Sequence, residues 1–324
     1  MMRDAADTVT PGFQVDDPVA PQQGFGQLLK QNRLAMIGLA VFVVFFCIAL
    51  LGLGLTSGRN PTFDPAVVRL QEKLRPPLSK PNLETLSTEE VPRLGVYLFG
   101  TDDLGRDVFA RMLQGAWVSL TVGFVAVGIS VFIGIFMGGI AGYFGQSHTF
   151  IDTLIMRFVD IMLCFPSFFL ILTVVALLPA SMYNIMIVIG LTSWMGTTRF
   201  VRAEFLSLRE QDFVTAARAL GVSNFRIIFR HMIPNAMAPV LVSATIGIAT
   251  AILTEAGLSF LGFGVPPPHA TWGGILSDGK RFIFDAPWLT FAPGFAILIV
   301  VLSFNLFGEG LRDILNPKLR QRQG

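Results

Sequence analysis

The chain has 324 residues, of which 52% are apolar types and 14% charged, with 30 Phe and a mean hydropathy of +0.63. Soluble domains carry about 25% charged residues, so the deficit indicates a membrane protein, and a formal net charge of +2 lacks the basic excess of a nucleic-acid binder. Cys47 and Cys164 lie far apart in apolar runs, and His148, His231 and His269 are scattered, which excludes a disulfide framework and a metal-ligand spacing.

Residues 1–26 are polar and rich in Pro and Asp. They lack the basic start and apolar core of a signal peptide and read as a disordered cytoplasmic tail. Residues 27–55 form an interfacial segment and a first span, LAMIGLAVFVVFFCIALLGLGL, because about 20 apolar residues in a helix cross the hydrocarbon layer. Further spans are expected over 117–144, 152–178, 183–200, 236–263 and 289–306, the third with Pro166 near its middle. Neighbouring helices can satisfy the backbone group that such a proline frees.

An even count of six places both ends on one side of the membrane. Lys30 and Arg33 flank the first span, and Arg312, Lys318, Arg320 and Arg322 follow the last, so both termini are expected in the cytoplasm. The segment 56–116 then lies outside as a large extracytoplasmic loop, spans two to six occupy 117–310 around a cytoplasmic loop at 201–235, and 311–324 form a cytoplasmic tail.

The outer loop is Pro-rich and closes on FGTDDLGRDVFARMLQGAW. Thr101 followed by acids reads as a helix cap. Asp102, Asp103 and Asp107 do not fit a calcium loop, since the twelfth position from Asp102 is Leu113 and not Glu. Capping and an Asp–Arg contact with Arg106 explain the cluster, and a role in external gating or docking is compatible with it. GILSDGKR, 274–281, imitates a phosphate loop, yet Arg281 stands where Ser or Thr would hold magnesium and no strand precedes it.

Gly134, Gly138 and Gly142 recur every four residues in the second span, a spacing that lets membrane helices approach closely. Arg157 and Asp160, three apart in the third span, read as an intrahelical pair. Glu255 lies within the fifth span, where a charge must face a cavity or a partner. It is either a pathway residue or a carboxyl bonded to a neighbouring helix.

Between the fourth and fifth spans lies REQDFVTAARALGVSNFRIIFRHMIPN, 209–235. Phe213, Ala216, Ala217 and Leu220 give one short helix an apolar face. Gly221 breaks it and Ser223 caps a second helix, in which Phe225, Ile228, Phe229 and Met232 share a face, until Pro234 ends it. Two short helices at a glycine bend make a cytoplasmic knob too small for its own core.

This stretch resembles the signature loop of ATP-binding-cassette importer permeases, E-A-A-x-x-x-G followed ten residues later by I-x-L-P. Ala216, Ala217, Gly221 and Pro234 match, while Thr215 replaces the Glu, His231 the first Ile and Ile233 the Leu. The form TAARALG is similar to that of dipeptide and oligopeptide permeases. Three further blocks, FGTDDLGRDVFARMLQGAWVSL, EAGLSFLGFGVPPPHATWGGIL and APWLTFAPGFAILIVVLSFNLFGEGLRDILNPKLR, look like the C-type subunit of that group, and the likeness covers about 25–319.

The resemblance implies an all-α membrane protein of six transmembrane helices with the type I importer permease fold, in a bacterial or archaeal cell membrane. Implied partners are a homologous B-type permease, two ATPase subunits, an extracytoplasmic peptide-binding protein and membrane lipid. It further implies that this chain binds no cofactor, that ATP and Mg are used by the ATPases, and that Thr215, Ala216, Ala217, Arg218, Leu220, Gly221 and Pro234 belong to the ATPase-coupling loop. The same permease type also serves nickel and glutathione. An ion-coupled secondary transporter would need ionisable relays in several spans or internal repeats, and an intramembrane enzyme would need a nucleophile–base pair. The sequence offers neither set.

Overall fold

In hydrocarbon, backbone N–H and C=O groups must be satisfied within the chain, so apolar runs of this length fold as helices. The computed structural model describes residues 25–58, 61–84, 86–87, 91–145 and 149–315. Its described elements are helices, short helical turns and two isolated bridges, Ser79 with Tyr97 and Thr101 with Asp107. The tail expected at 1–26 lies outside the described residues except for 25 and 26, and so does most of the tail expected at 311–324.

Helix α1 (Phe25–Gln31) leads into α2 (Arg33–Thr56), whose first turn is capped by Asn32 accepting from the Ala35 amide at 3.0 Å. The outer loop follows, then α3 (Val108–Phe144), α4 (Thr149–Leu163), α5 (Ser167–Leu177) and α6 (Met182–Arg209). The knob consists of α7 (Asp212–Ala219) and α8 (Asn224–Ile227). A π-turn over Ile228–Met232 joins α8 to α9 (Ile233–Phe260). Helix α10 (Trp272–Gly279) precedes α11 (Trp288–Leu315).

Four helices are long and apolar enough to cross a membrane: α2, α3, the continuous run Asn224–Phe260, and α11. The third expected span is α4 and α5 joined at an 83° bend, with Pro166 just before α5. Proline thus breaks this element instead of being carried within one straight helix, because it lacks a donor N–H and obstructs the preceding turn. Helix α6 has 28 residues, but Asn184, Thr192, Ser193, Thr197, Thr198, Arg199, Arg202 and Glu204 make it more polar than the others.

Glycines reveal how these helices run. A Cβ at Gly134 would lie 2.5 Å from Thr197, one at Gly138 2.5 Å from the Thr198 carbonyl, and one at Gly142 2.6 Å from Phe205. A Cβ at Gly190 would similarly press on Ile129 at 2.7 Å. Contacts advance together along both sequences, so α3 and α6 pack parallel, and the expected close approach occurs. Parallel neighbours require the intervening chain to return to the opposite end, and α4–α5 makes that return.

Helix α9 runs antiparallel to α3, since Gly123 faces Ile248 and Ile252 whereas Gly247 faces Val127. Gly310 abuts Ala35, and Gly38 abuts Phe307 and Ser303, so the start of α2 and the end of α11 share one end of the bundle. The 209–235 knob occupies that same end. The outer loop and α10 occupy the other.

Candidate functional site

At the loop end, Asp107 and not Thr101 caps α3, its carboxylate accepting from the Phe109 amide at 2.9 Å. Thr101 is fully buried. Its hydroxyl donates to the Glu72 carbonyl at 2.5 Å and accepts from the Arg75 amide at 2.8 Å. The residue therefore ties two loop segments together, and the cap lies six residues later than the sequence suggests, at Asp107 instead of Thr101. Gly105 turns the chain at φ +73°, and any Cβ there would collide with the Arg69 carbonyl.

Asp102 is also fully buried. It accepts from the amides of Leu104 and Arg106 at 2.9 Å each, from Arg106 Nε at 2.7 Å, and from Arg111. The two guanidinium groups also reach Asp278 on α10, Arg111 at 2.9 Å and Arg106 at 3.2 Å. The Asp–Arg contact expected here falls on Asp102 and Arg106 and is half of a four-residue ion cluster. Asp103 stands beside it, and burial, with Asp102 and Asp278 nearby, raises its carboxyl above the usual range. Among the described residues no group of His, Cys, Asp and Glu is placed to hold a metal ion.

Glu255 is fully buried on α9. Ser259 donates to it at 2.6 Å and Ser119 of α3 at 3.3 Å. The Ser119 hydroxyl in turn accepts from the Trp272 amide at 3.3 Å. Glu255 thereby joins α3, α9 and the start of α10.

The residues facing open space nearby are different. A groove of about 250 Å³ lies between α3, α6 and α9. Its polar lining is neutral: Ser130, Ser193, Thr197, Ser243, Thr250 and Thr254. Ser193, Thr250 and Thr254 donate back to carbonyls of their own helices at 2.7, 3.1 and 2.8 Å. Such hydroxyls keep acceptor lone pairs for a passing molecule.

At the knob, helical register separates two faces. Val214 and Ala217 are buried against Val201, Phe205, Ile227 and Met232. Phe213, Thr215, Ala216, Arg218 and Leu220 are exposed, Leu220 with 83% of its surface free. The apolar face expected from Phe213, Ala216 and Leu220 is therefore the free face, and only Ala217 of that set is seated.

Gly221 adopts φ +72°, the left-handed conformation that stops a helix and suits glycine. Ser223 occupies the cap position of α8 without a side-chain cap bond. Phe225 and Phe229 remain exposed, their rings 4.3 Å apart. Pro234 does not end the second helix. The π-turn lets the Ile233 amide reach the Ile228 carbonyl, and Pro234 follows in the first turn of α9, where its missing N–H costs little.

The expected Arg157–Asp160 pair is replaced by one between helices. Asp160 pairs with Arg199 of α6, and Asp152 accepts from Arg202 at 2.6 Å. Packing α4 along α6 offers both carboxylates a partner that brings two helices together. Arg111, Asp278, Ser119, Ser259 and Tyr143 carried no signal in the sequence. Their partners lie on distant elements.

A bundle of long apolar helices with a polar knob at one end and a neutral groove between them is that of an integral membrane protein. The chain belongs to the family of binding-protein-dependent transport system inner membrane components, whose family model matches residues 104–321. The N-terminal TM domain of oligopeptide transport permease C matches residues 23–77.

The chain is 42% identical to the dipeptide transport system permease protein DppC of Alkalihalophilus pseudofirmus, over 93% of this chain and 91% of that one. It is 37% identical to the oligopeptide transport system permease protein OppC of Bacillus subtilis, over 90% and 88%. The DppC of Haemophilus influenzae is also 37% identical, over 94% and 97%. Among solved structures, an inward-facing form of the MetNI methionine ABC transporter matches with a TM-score of 0.52 at 18% identity, covering 64% of this chain and 97% of that one. That likeness shows the fold, the importer permease fold expected above. The chain is a permease subunit of an ATP-binding-cassette transporter and not a catalyst, the ATPase being a separate subunit.

Proposed function

We propose that this chain forms half of the translocation pathway of an ATP-driven importer for dipeptides or oligopeptides. Its partners are a homologous B-type permease, two ATPase subunits that use ATP and Mg, and an extracytoplasmic peptide-binding protein. The knob end faces the cytoplasm of a bacterial or archaeal cell, in keeping with its arginines. Six crossings follow when α4–α5 and α6 are each counted as one.

The observation that carries the coupling role is the free face of α7. A helix of 8 residues, seated through two small apolar side chains, leaves Phe213, Ala216 and Leu220 uncovered at the end of the bundle. Its occupant is an ATPase groove, and closure of the ATPase dimer pushes α7, with the Gly221 bend as its stop. The groove between α3, α6 and α9 contributes one wall of the pathway. A neutral hydroxyl lining suits peptides of varied side chains, since it imposes no charge of its own. Asp102, Asp103, Arg106 and Asp107 hold the outer end closed or present it to the binding protein. Glu255 braces that end.

The test is purification through a tag on this chain from cells of its own source. A second permease and two ATPase copies are expected to co-purify. After reconstitution with the binding protein, ATP should drive uptake of radiolabelled dialanine. Transport by the chain alone along an ion gradient would overturn the importer reading. Uptake of nickel or glutathione in place of peptides would overturn only the substrate class.

A further inference from the structure

Tyr143 lies in the last turn of α3 and is 6% exposed. Three separate parts of the knob end converge on it. Its hydroxyl donates to the Asn224 side-chain oxygen at 2.7 Å. The Arg218 guanidinium sits over its ring, 5.3 Å from the centroid. Its carbonyl accepts from Arg209 Nη1 at 3.3 Å. One residue of α3 therefore touches the end of α6, the last turn of α7 and the start of α8.

Apolar seating alone gives α7 little directional hold, because Val214 and Ala217 bury modest, non-directional area. A cation held over a ring and a buried hydroxyl bond are directional. Helix α3 is also well placed to carry a displacement. It is a single helix of 37 residues. Ala126, Val127, Ser130 and Val131, midway along it, line the groove, and Arg111 at its other end enters the ion cluster.

We infer that Tyr143 is the positioning residue through which α7 moves α3, by way of Arg218 on its ring and Asn224 on its hydroxyl, so that displacement of the knob reaches the groove. This inference rests on the coupling role proposed for the loop. The alternative within that role is that Arg218 serves the ATPase directly and Tyr143 only fills space.

The experiment uses the reconstituted complex with its binding protein and reads dialanine imported per ATP hydrolysed. Tyr143→Leu removes both ring and hydroxyl contacts, and Arg218→Gln removes the cation. Tyr143→Leu should lower the ratio roughly tenfold, the scale of one buried cation–ring contact and one hydrogen bond together, and Arg218→Gln roughly threefold by loss of the cation alone. Tyr143→Phe keeps the ring and should lower it roughly threefold, by loss of the hydrogen bond alone. Arg218→Lys restores a cation and should recover most of the ratio. The double variant should be no worse than Tyr143→Leu alone, because that substitution already removes the ring on which Arg218 acts.

An unchanged ratio in Tyr143→Leu would overturn the inference, and so would a loss in Arg218→Gln that Tyr143→Leu does not share. If Tyr143→Leu does not assemble, Tyr143→Phe with Arg218→Gln and Arg218→Lys decides the matter in the same way. Gly221→Val separates the two levels. If it too leaves the ratio unchanged, the coupling role of the loop fails. If it uncouples while the Tyr143 variants do not, only the role of Tyr143 fails.

Discussion

Arg111, in the first turn of α3, donates to Asp278 on α10 at 2.9 Å across 167 residues of sequence. The same guanidinium pairs with fully buried Asp102, so the outer loop, α3 and α10 are held by one side chain. Arg111→Met should destabilise the complex by about 3 kcal/mol, because Asp102 keeps only Arg106 as its cation and an undercompensated buried charge is costly. Asp278→Asn should cost under about 1 kcal/mol, since that carboxylate is partly solvated. Thermal unfolding of the detergent-purified complex checks both, and equal losses would show that the cluster is not organised around Asp102.

Gly138 admits no side chain, with the Thr198 carbonyl 2.5 Å from where a Cβ would stand. Gly138→Val should separate α3 from α6 and cost about 1–3 kcal/mol by overpacking. Gly128 lies on the same helix with nothing within 4 Å of its added Cβ. Gly128→Ala should stay within about 0.5 kcal/mol of the unmodified protein. The comparison needs only expression level and melting temperature.

Glu255 makes its bonds to serines within the bundle, and the groove lining includes Thr254 but not Glu255. Glu255→Gln should leave the relative uptake of cationic, neutral and anionic peptides unchanged. Glu255→Leu should destabilise by about 1–3 kcal/mol by removing the acceptor used by Ser119 and Ser259. A changed charge preference in the Gln variant would instead place the carboxylate on the transport path.

Asp107 combines a cap with burial. Desolvation raises its carboxyl pKa, and the amides of Phe109 and Ala110 and the charge of Arg69 offset this only in part. A raised value in the folded state means that folding favours the protonated form. This contribution is complete below the unfolded value of about 4 and declines as pH rises through the folded one. Asp107→Asn, which still caps, should flatten that part of the stability profile, whereas Asp107→Ala should cost about 1 kcal/mol. Melting temperatures across an acid-to-neutral pH series would show the difference in slope.

Much of this arrangement is legible residue by residue. The Gly134, Gly138 and Gly142 spacing announces a close helix contact without naming α6 as its partner. Gly221 marks a helix stop wherever its neighbours lie, since a left-handed φ is cheap only for glycine. Ala217 and Leu220 look alike in a helical pattern, yet one is seated and the other free. Which side of a short helix is covered depends on what packs beneath it. Asp160 follows the same rule: its nearest basic residue in sequence is Arg157, but its partner is Arg199, supplied by the packing of α4 along α6.

The amino-acid order by itself determined that this is a helical membrane protein, where its long apolar runs lie, and that a polar loop with a glycine bend divides two of them. Those properties follow from local hydropathy and backbone preference, which act over a few turns. Only the tertiary structure decided that α3 and α6 run parallel, that the third span bends by 83°, and that Arg111 meets Asp278. The same holds for the convergence of Arg209, Arg218 and Asn224 on Tyr143. Such pairings depend on which helix faces can approach closely, and a linear pattern does not contain that choice.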